Sequence, residues 1–238
     1  AAVARALAAR GWRLVLVDRF ADDPALGYAL ATPDDLAATV AACGGADVVH
    51  AVVGDVRDQT VLDDAVASAR ERFGGLDAAV AAAGCIAGGQ AWADDEDLWR
   101  TMVGVNLEGV WRLARAAVPA LLERPEPRHG RFVAVSSAGG TVGLPMLSAY
   151  VAAKHGVHGF VRSLAAEVGP AGITANAVAP GSTTTAMLDA SALVYDLPDV
   201  DDFARHHLLE RTLDPDEVAA LVAWLCGPES AGVTGAVL

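Results

Sequence analysis

The chain has 238 residues, 53% of them apolar, and a formal net charge of −13. That length suits one α/β domain, spanning 1–238, with a substantial core. Charged residues break every apolar run, so no transmembrane helix is expected, and the acidic balance repels phosphate backbones and anionic lipid heads, which argues against nucleic acid or a membrane surface as partner.

In chain order, Ala1–Arg10 reads as a helix stopped by Gly11, and Arg13–Val17 as an apolar strand ending at Asp18. Pro33–Cys43 reads as a helix, Asp47–Val53 as a strand, and Asp58–Phe73 as a helix closed by Gly74-Gly75. Asp77–Ala82 is a strand, Asp94–Glu123 a long helical region, Arg131–Ser136 a strand and Ser148–Val168 a helix. Ile173–Val178 follows as a strand, Ala186–Leu209 as a looser, partly helical stretch, and Pro215–Cys226 as a helix entered through Asp214.

Short apolar strands alternating with amphipathic helices predict a parallel sheet covered on both faces. Right-handed crossovers then give a doubly wound, Rossmann-type three-layer fold. The chain opens inside a helix, and three residues follow Gly235. The first strand with its Gly-rich turn, and the last strand, are therefore expected to be missing.

The chemistry starts at Tyr150 and Lys154, which an α-helix places on one face. An ammonium beside a phenol favours the phenolate and suits Tyr150 to general acid/base work. Lys154 is the only lysine in a chain with 17 Lys and Arg residues. A compact ammonium serves that task better than a planar guanidinium. Ser137 follows the strand that ends at Ser136, where open α/β sheets bind ligands, and its hydroxyl can steady a substrate oxygen. The odd, scattered Cys43, Cys85 and Cys226 read as reduced thiols, consistent with a cytoplasmic location. No metal site is expected: the adjacent His206 and His207 point about 100° apart on a helix.

Ser136-Ser137, Tyr150-x-x-x-Lys154, Asn106 in Val105-Asn106-Leu107-Glu108-Gly109, and Pro180-Gly181 after a strand together resemble the short-chain dehydrogenase/reductase family. The resemblance covers nearly the whole chain. It implies that Tyr150 is the proton donor or acceptor and that Lys154 binds the nicotinamide ribose and lowers the tyrosine pKa. It further implies that Ser137 steadies the substrate oxygen and that Asn106 sits in a helix irregularity, holding a water for Lys154. Pro180, Gly181, Thr183 and Thr185 would meet the nicotinamide carboxamide. Asp18 at a strand end would accept from ribose hydroxyls and so select NAD over NADP. Arg19 could take a 2′-phosphate or pack on adenine. Asp55 and Val56 would contact the adenine ring; the alternative for Asp18 and Asp55 is a helix N-cap. Family members usually form tetramers through the helices of Asp94–Glu123 and Ser148–Val168. The apolar face Ala152, Val157, Phe160, Leu164 fits either that or core burial.

Two departures stand out. Where the family usually has Asn-Asn-Ala-Gly, this chain has Ala81-Ala82-Ala83-Gly84, which keeps the close backbone approach at Gly84 and loses the asparagine ties. Between Asp18 and Asp34 runs a long insert, Arg19–Pro33, where such loops usually take about two to six residues. The insert ("ADDPALGY", "LATPDDL"), with "RFVAVSSAGG", "ANAVAPGST" and "LPDVDDFARHHL", resembles the mycofactocin-associated branch of the family, found in actinobacteria. That resemblance implies NAD held too tightly to exchange and mycofactocin as the electron acceptor. Tight binding is mostly slow dissociation, which a cap over the adenosine half would provide. Ala186–Leu209 would be a substrate lid whose Met187, Leu188, Leu193, Val194, Tyr195, Leu197 and Phe203 suit a hydrophobic secondary alcohol or simply a lid core. An ordinary NAD-exchanging dehydrogenase or carbonyl reductase and a non-catalytic remnant of the fold stay open as alternatives.

Overall fold

A computed structural model describes all 238 residues. Five short strands alternate with eight α-helices. The strands are β1 (Leu14–Asp18), β2 (Val49–Val53), β3 (Ala78–Ala81), β4 (Arg131–Val135) and β5 (Thr174–Val178). The helices are α1 (Ala2–Ala8), α2 (Pro33–Ala42), α3 (Gln59–Phe73), α4 (Glu96–Val103), α5 (Gly109–Leu122), α6 (Ser148–Val168), α7 (Ala186–Val194) and α8 (Pro215–Cys226).

Local chemistry sets the helix starts. Thr32 and Asp35 exchange hydrogen bonds in a capping box before α2, and Asp214 and Glu217 do the same before α8. Asp58, and not Asp55, caps α3. The continuous helical region expected over Asp94–Glu123 is broken at Gly104–Glu108 by a π-helical turn that separates α4 from α5.

All strand pairs are parallel: β1 lies on β2, and β3-β4-β5 form a second ribbon. An apolar-lined gap separates β1 from β3, and past the carboxyl ends of the strands it opens as a crevice. The last strand, expected to be missing, is in place in its first residues: Gly235 donates to Ala175, Ala177 to Ala236 and Leu238 to Ala177, beside β5.

Alternation along β4 sorts the core into two layers. Phe132 and Ala134 pack with Val110, Ala117 and Leu121 of α5 and Val157, Val161 and Leu164 of α6. Val133 faces the other way, onto Leu7 of α1 and Val222, Ala223 and Leu225 of α8. This is the period-two pattern of a strand covered on both faces. Val157 and Leu164 thus belong to the core, while Phe160 packs against it only in part.

Candidate active site

Beyond the carboxyl ends of β3, β4 and β5, a third apolar cluster forms around Cys85, Ile86, Met102, Leu147 and Tyr150. The second turn of α6 carries Lys154 below Tyr150, and both side chains are buried. Lys154 Nζ donates to the Val135 carbonyl at 3.0 Å and stands 5.6 Å from the centre of the Tyr150 ring. Burial holds the Lys154 ammonium down at about 8. Burial also pushes the Tyr150 phenol above its usual range, and the Ser137 hydroxyl hydrogen bond opposes that rise. Both groups share one poorly solvated pocket, so desolvation dominates the Tyr150 shift, while one of the three Lys154 N–H bonds is directed at Val135.

Ser137 leaves β4 in extended backbone, and its Oγ accepts from the Gly139 N–H at 3.1 Å. Its neighbour Ser136 turns inward to His158 Nε2 at 2.8 Å, one turn below Lys154 on α6. A methyl at Gly140 would lie 2.5 Å from His158 Cε1, so this layer beneath the site is tightly packed.

Asn106 sits inside the π-helical turn and is fully buried. Its Nδ2 donates to the carbonyls of Cys85 at 2.9 Å and Met102 at 3.0 Å, and its Oδ1 accepts from the Cys85 N–H at 3.2 Å. The asparagine thereby clamps the loop after β3, the loop that lost its own asparagines to Ala81 and Ala82. A methyl on Gly84 would stand 3.2 Å from Asn106 Oδ1 and 3.8 Å from Lys154 Nζ, so Gly84 lies between them.

On the other side of the crevice, Asp18 closes β1 and accepts only from the Phe20 N–H, at 3.2 Å. No cation pairs with it. Arg19 turns back into the insert, donating to Asp23 at 2.6 Å and lying 3.5 Å from Asp55. Asp55 is neither a helix cap nor free: Arg57 grips it with Nη2 at 2.6 Å and Nε at 3.0 Å. Val56 packs where a methyl on Gly109 would come within 2.9 Å of its Cγ2. Ala83 is exposed at the crevice edge. The carbonyl of Pro180 accepts from the Ala138 N–H at 2.8 Å, tying the end of β5 to the end of β4. Gly181, Thr183 and Thr185 follow in one turn, with Thr183 Oγ1 donating to the Gly181 carbonyl and Thr185 Oγ1 to that of Thr183.

Several contacts were not anticipated. Asp23, six per cent exposed, is held by both Arg19 and Arg57, the latter at 2.8 Å. Burial pushes its carboxyl up, but the Ala25 N–H and the two guanidiniums outweigh that and hold it below the usual range. At the far end of the insert, Tyr28 Oη accepts from the Ile86 N–H at 3.1 Å, and Leu26 and Tyr28 pack into the cluster around Tyr150. Burial raises the Tyr28 phenol to about 12, so it stays neutral.

The residues fit a dinucleotide. Asp18 ends β1 with no cation paired to it, and Gly84 follows β3, so an acid suited to ribose hydroxyls and a close backbone approach flank the carboxyl ends of the strands. A parallel α/β fold with the buried Tyr150 and Lys154 at the carboxyl ends of its strands fits an oxidoreductase. The chain belongs to the short-chain dehydrogenase/reductase family: the family model described as enoyl-(acyl carrier protein) reductase matches residues 1–238. An uncharacterized oxidoreductase of Mycobacterium tuberculosis is 38% identical over 98% of this chain and 86% of its own length. An uncharacterized NAD-dependent oxidoreductase of the same species is 35% identical over 87% of this chain and 77% of its own. Among solved structures, carveol dehydrogenase from Mycobacterium avium in complex with NAD superposes with a TM-score of 0.92 at 34% identity, covering 100% of this chain and 90% of that one. Levodione reductase gives a TM-score of 0.87 at 29% identity, covering 100% and 89%.

Proposed function

We propose that the protein oxidises a hydrophobic secondary alcohol with NAD that it does not release between turnovers, and that mycofactocin then takes the electrons. The observation that carries this reading is the anchorage of the insert at both ends. Asp23 is locked between Arg19 and Arg57 at the adenosine side, and Tyr28 is hydrogen-bonded to Ile86 beside the catalytic cluster. A segment so fastened is a strap across the crevice, and it would slow cofactor departure.

Asp18 favours unphosphorylated ribose, and Arg19 is committed to Asp23 and Asp55, which leaves it poorly placed to bind a 2′-phosphate. The relatives named above as NAD-dependent or bound to NAD support the same choice. Bound NAD would supply the hydride-accepting nicotinamide. Ser137 holds the alcohol oxygen, and Tyr150 takes its proton as the carbon–hydrogen bond breaks. Lys154 and Asn106 hold the ribose side of the pocket and the loop after β3. Ile86, Met102 and Leu147, with Met187 and Tyr195 from the lid, give an apolar surround that suits the alcohol. Assembly as a cytoplasmic homotetramer is part of the same reading; Trp99 and Trp111 offer apolar surface on α4 and α5.

The test is to purify the protein without added cofactor, denature it and assay released NAD. The reading requires stoichiometric NAD, no turnover with free NAD as sole oxidant, and turnover with an artificial electron acceptor. A cofactor-free protein that reduces added NAD with an alcohol would make it an ordinary exchanging dehydrogenase.

A further inference from the structure

The two adjacent histidines behave differently. His206 is exposed, whereas His207 is half-buried and its Nε2 accepts the Ser182 N–H at 2.8 Å. The ring lies flat on Gly181, where a methyl would come within 2.3 Å of His207 Cε1, so the contact needs glycine there. Ser182 and Gly181 belong to the turn expected to meet the carboxamide. His207 ends the short 3₁₀ helix Val200–His206 that follows α7. It lies near the end of Ala186–Leu209, the segment expected to be the lid.

The lid's neck is fastened elsewhere by backbone and hydroxyl contacts. Leu213 N–H donates to the Ser182 carbonyl, Thr184 N–H to the Leu213 carbonyl, both at 2.9 Å, and the Thr184 and Thr212 hydroxyls meet at 3.0 Å. Within this neck, His207 is the side chain that joins the end of the lid directly to the turn expected to meet the carboxamide. We propose that His207 is a positioning residue: its Nε2, accepting the Ser182 N–H, clasps the lid to that amide and so sets the pocket in which the alcohol lies. It touches neither Tyr150 nor Lys154, so it acts on substrate binding and not on the proton step. This rests on the proposed alcohol-oxidising function for its kinetic readout, but not for its structural one.

The experiment compares His207→Phe, which keeps a flat ring without an acceptor, and His207→Gln, whose Oε1 reaches about where Nε2 stood. His206→Ala is the neighbouring control. Hydrogen exchange at the Ser182 amide is read first, without substrate. It should speed up in His207→Phe, return toward wild type in His207→Gln and stay unchanged in His206→Ala. With carveol as probe alcohol and an artificial electron acceptor, His207→Phe should raise KM on the order of tenfold, as expected for one lost buried hydrogen bond, with kcat changed less than about twofold. His207→Gln should restore KM. Unchanged Ser182 exchange in His207→Phe, or equal impairment of the Phe and Gln variants, would overturn the clasp. If the wild type does not oxidise carveol, the assignment of the alcohol fails alone, and the exchange measurement decides the clasp.

Discussion

Tyr150 and Lys154 share a pocket that water barely reaches, and burial works against ionising either of them. A phenol raised in this way is a proton carrier that needs its surroundings to ionise it, so Tyr150→Phe should lower kcat for the alcohol by about 10²–10⁴-fold with little change in melting temperature. Steady-state rates and a thermal melt check this. Lys154 has the opposite signature. Its folded value, about 8, lies below the ordinary 10.5, so the unfolded chain holds the proton more firmly. The charged form then costs roughly 3 kcal/mol of stability below pH 8, a cost that fades as pH rises toward 10.5. Lys154→Met should therefore be inactive yet melt several degrees higher at pH 7, the gap narrowing in alkali; melts across pH 7–10 read it directly. Spacing alone exposes Tyr150, Lys154 and Ser137, because i and i+4 on a helix and a hydroxyl at a strand end are local facts; Asn106 came from the resemblance. The direction of the tyrosine shift was not legible, since desolvation depends on Cys85, Met102 and Leu147 closing in from distant segments.

The insert Arg19–Pro33 shows itself in the sequence as a loop too long for its place. Where it docks does not, because its partners are remote: Arg57 lies 34 residues from Asp23 and Ile86 lies 58 from Tyr28. The consequence is testable at the level of this element. Asp23→Asn removes the charge that Arg19 and Arg57 both grip, and the two guanidiniums then lose a well-buried partner. The NAD dissociation rate should rise by at least about tenfold, the effect of one charge-assisted hydrogen bond, while activity with saturating NAD persists. Stopped-flow displacement of NAD measures the rate; an unchanged rate would detach the strap from cofactor retention. The π-helical turn is the second feature that pattern reading reaches only in part. A helix irregularity at Asn106 follows from the resemblance, but its use as a clamp on Cys85 emerges only when α4 and the loop after β3 meet.

Over the whole molecule, the alternation of short apolar strands with Ala-rich helices was enough to specify a parallel sheet with helices on both faces. The pairing of β1 with β2 and the order β3-β4-β5 were not legible in that alternation and come from the structure. The sequence does not show that one fold-wide crevice is bounded by three separate devices: the strap at β1, the clamped loop at β3 and the lid after β5. On the proposed reading each holds a piece of chain beside the same bound NAD and would slow its departure. Isotope exchange tests that most directly: load the protein with radiolabelled NAD, add a large excess of unlabelled NAD and alcohol with an artificial acceptor, and follow the protein-bound label through many turnovers. Retention of the label while product accumulates is the predicted result. Loss of the label within one turnover would contradict it and leave an ordinary dehydrogenase with an ornamented rim.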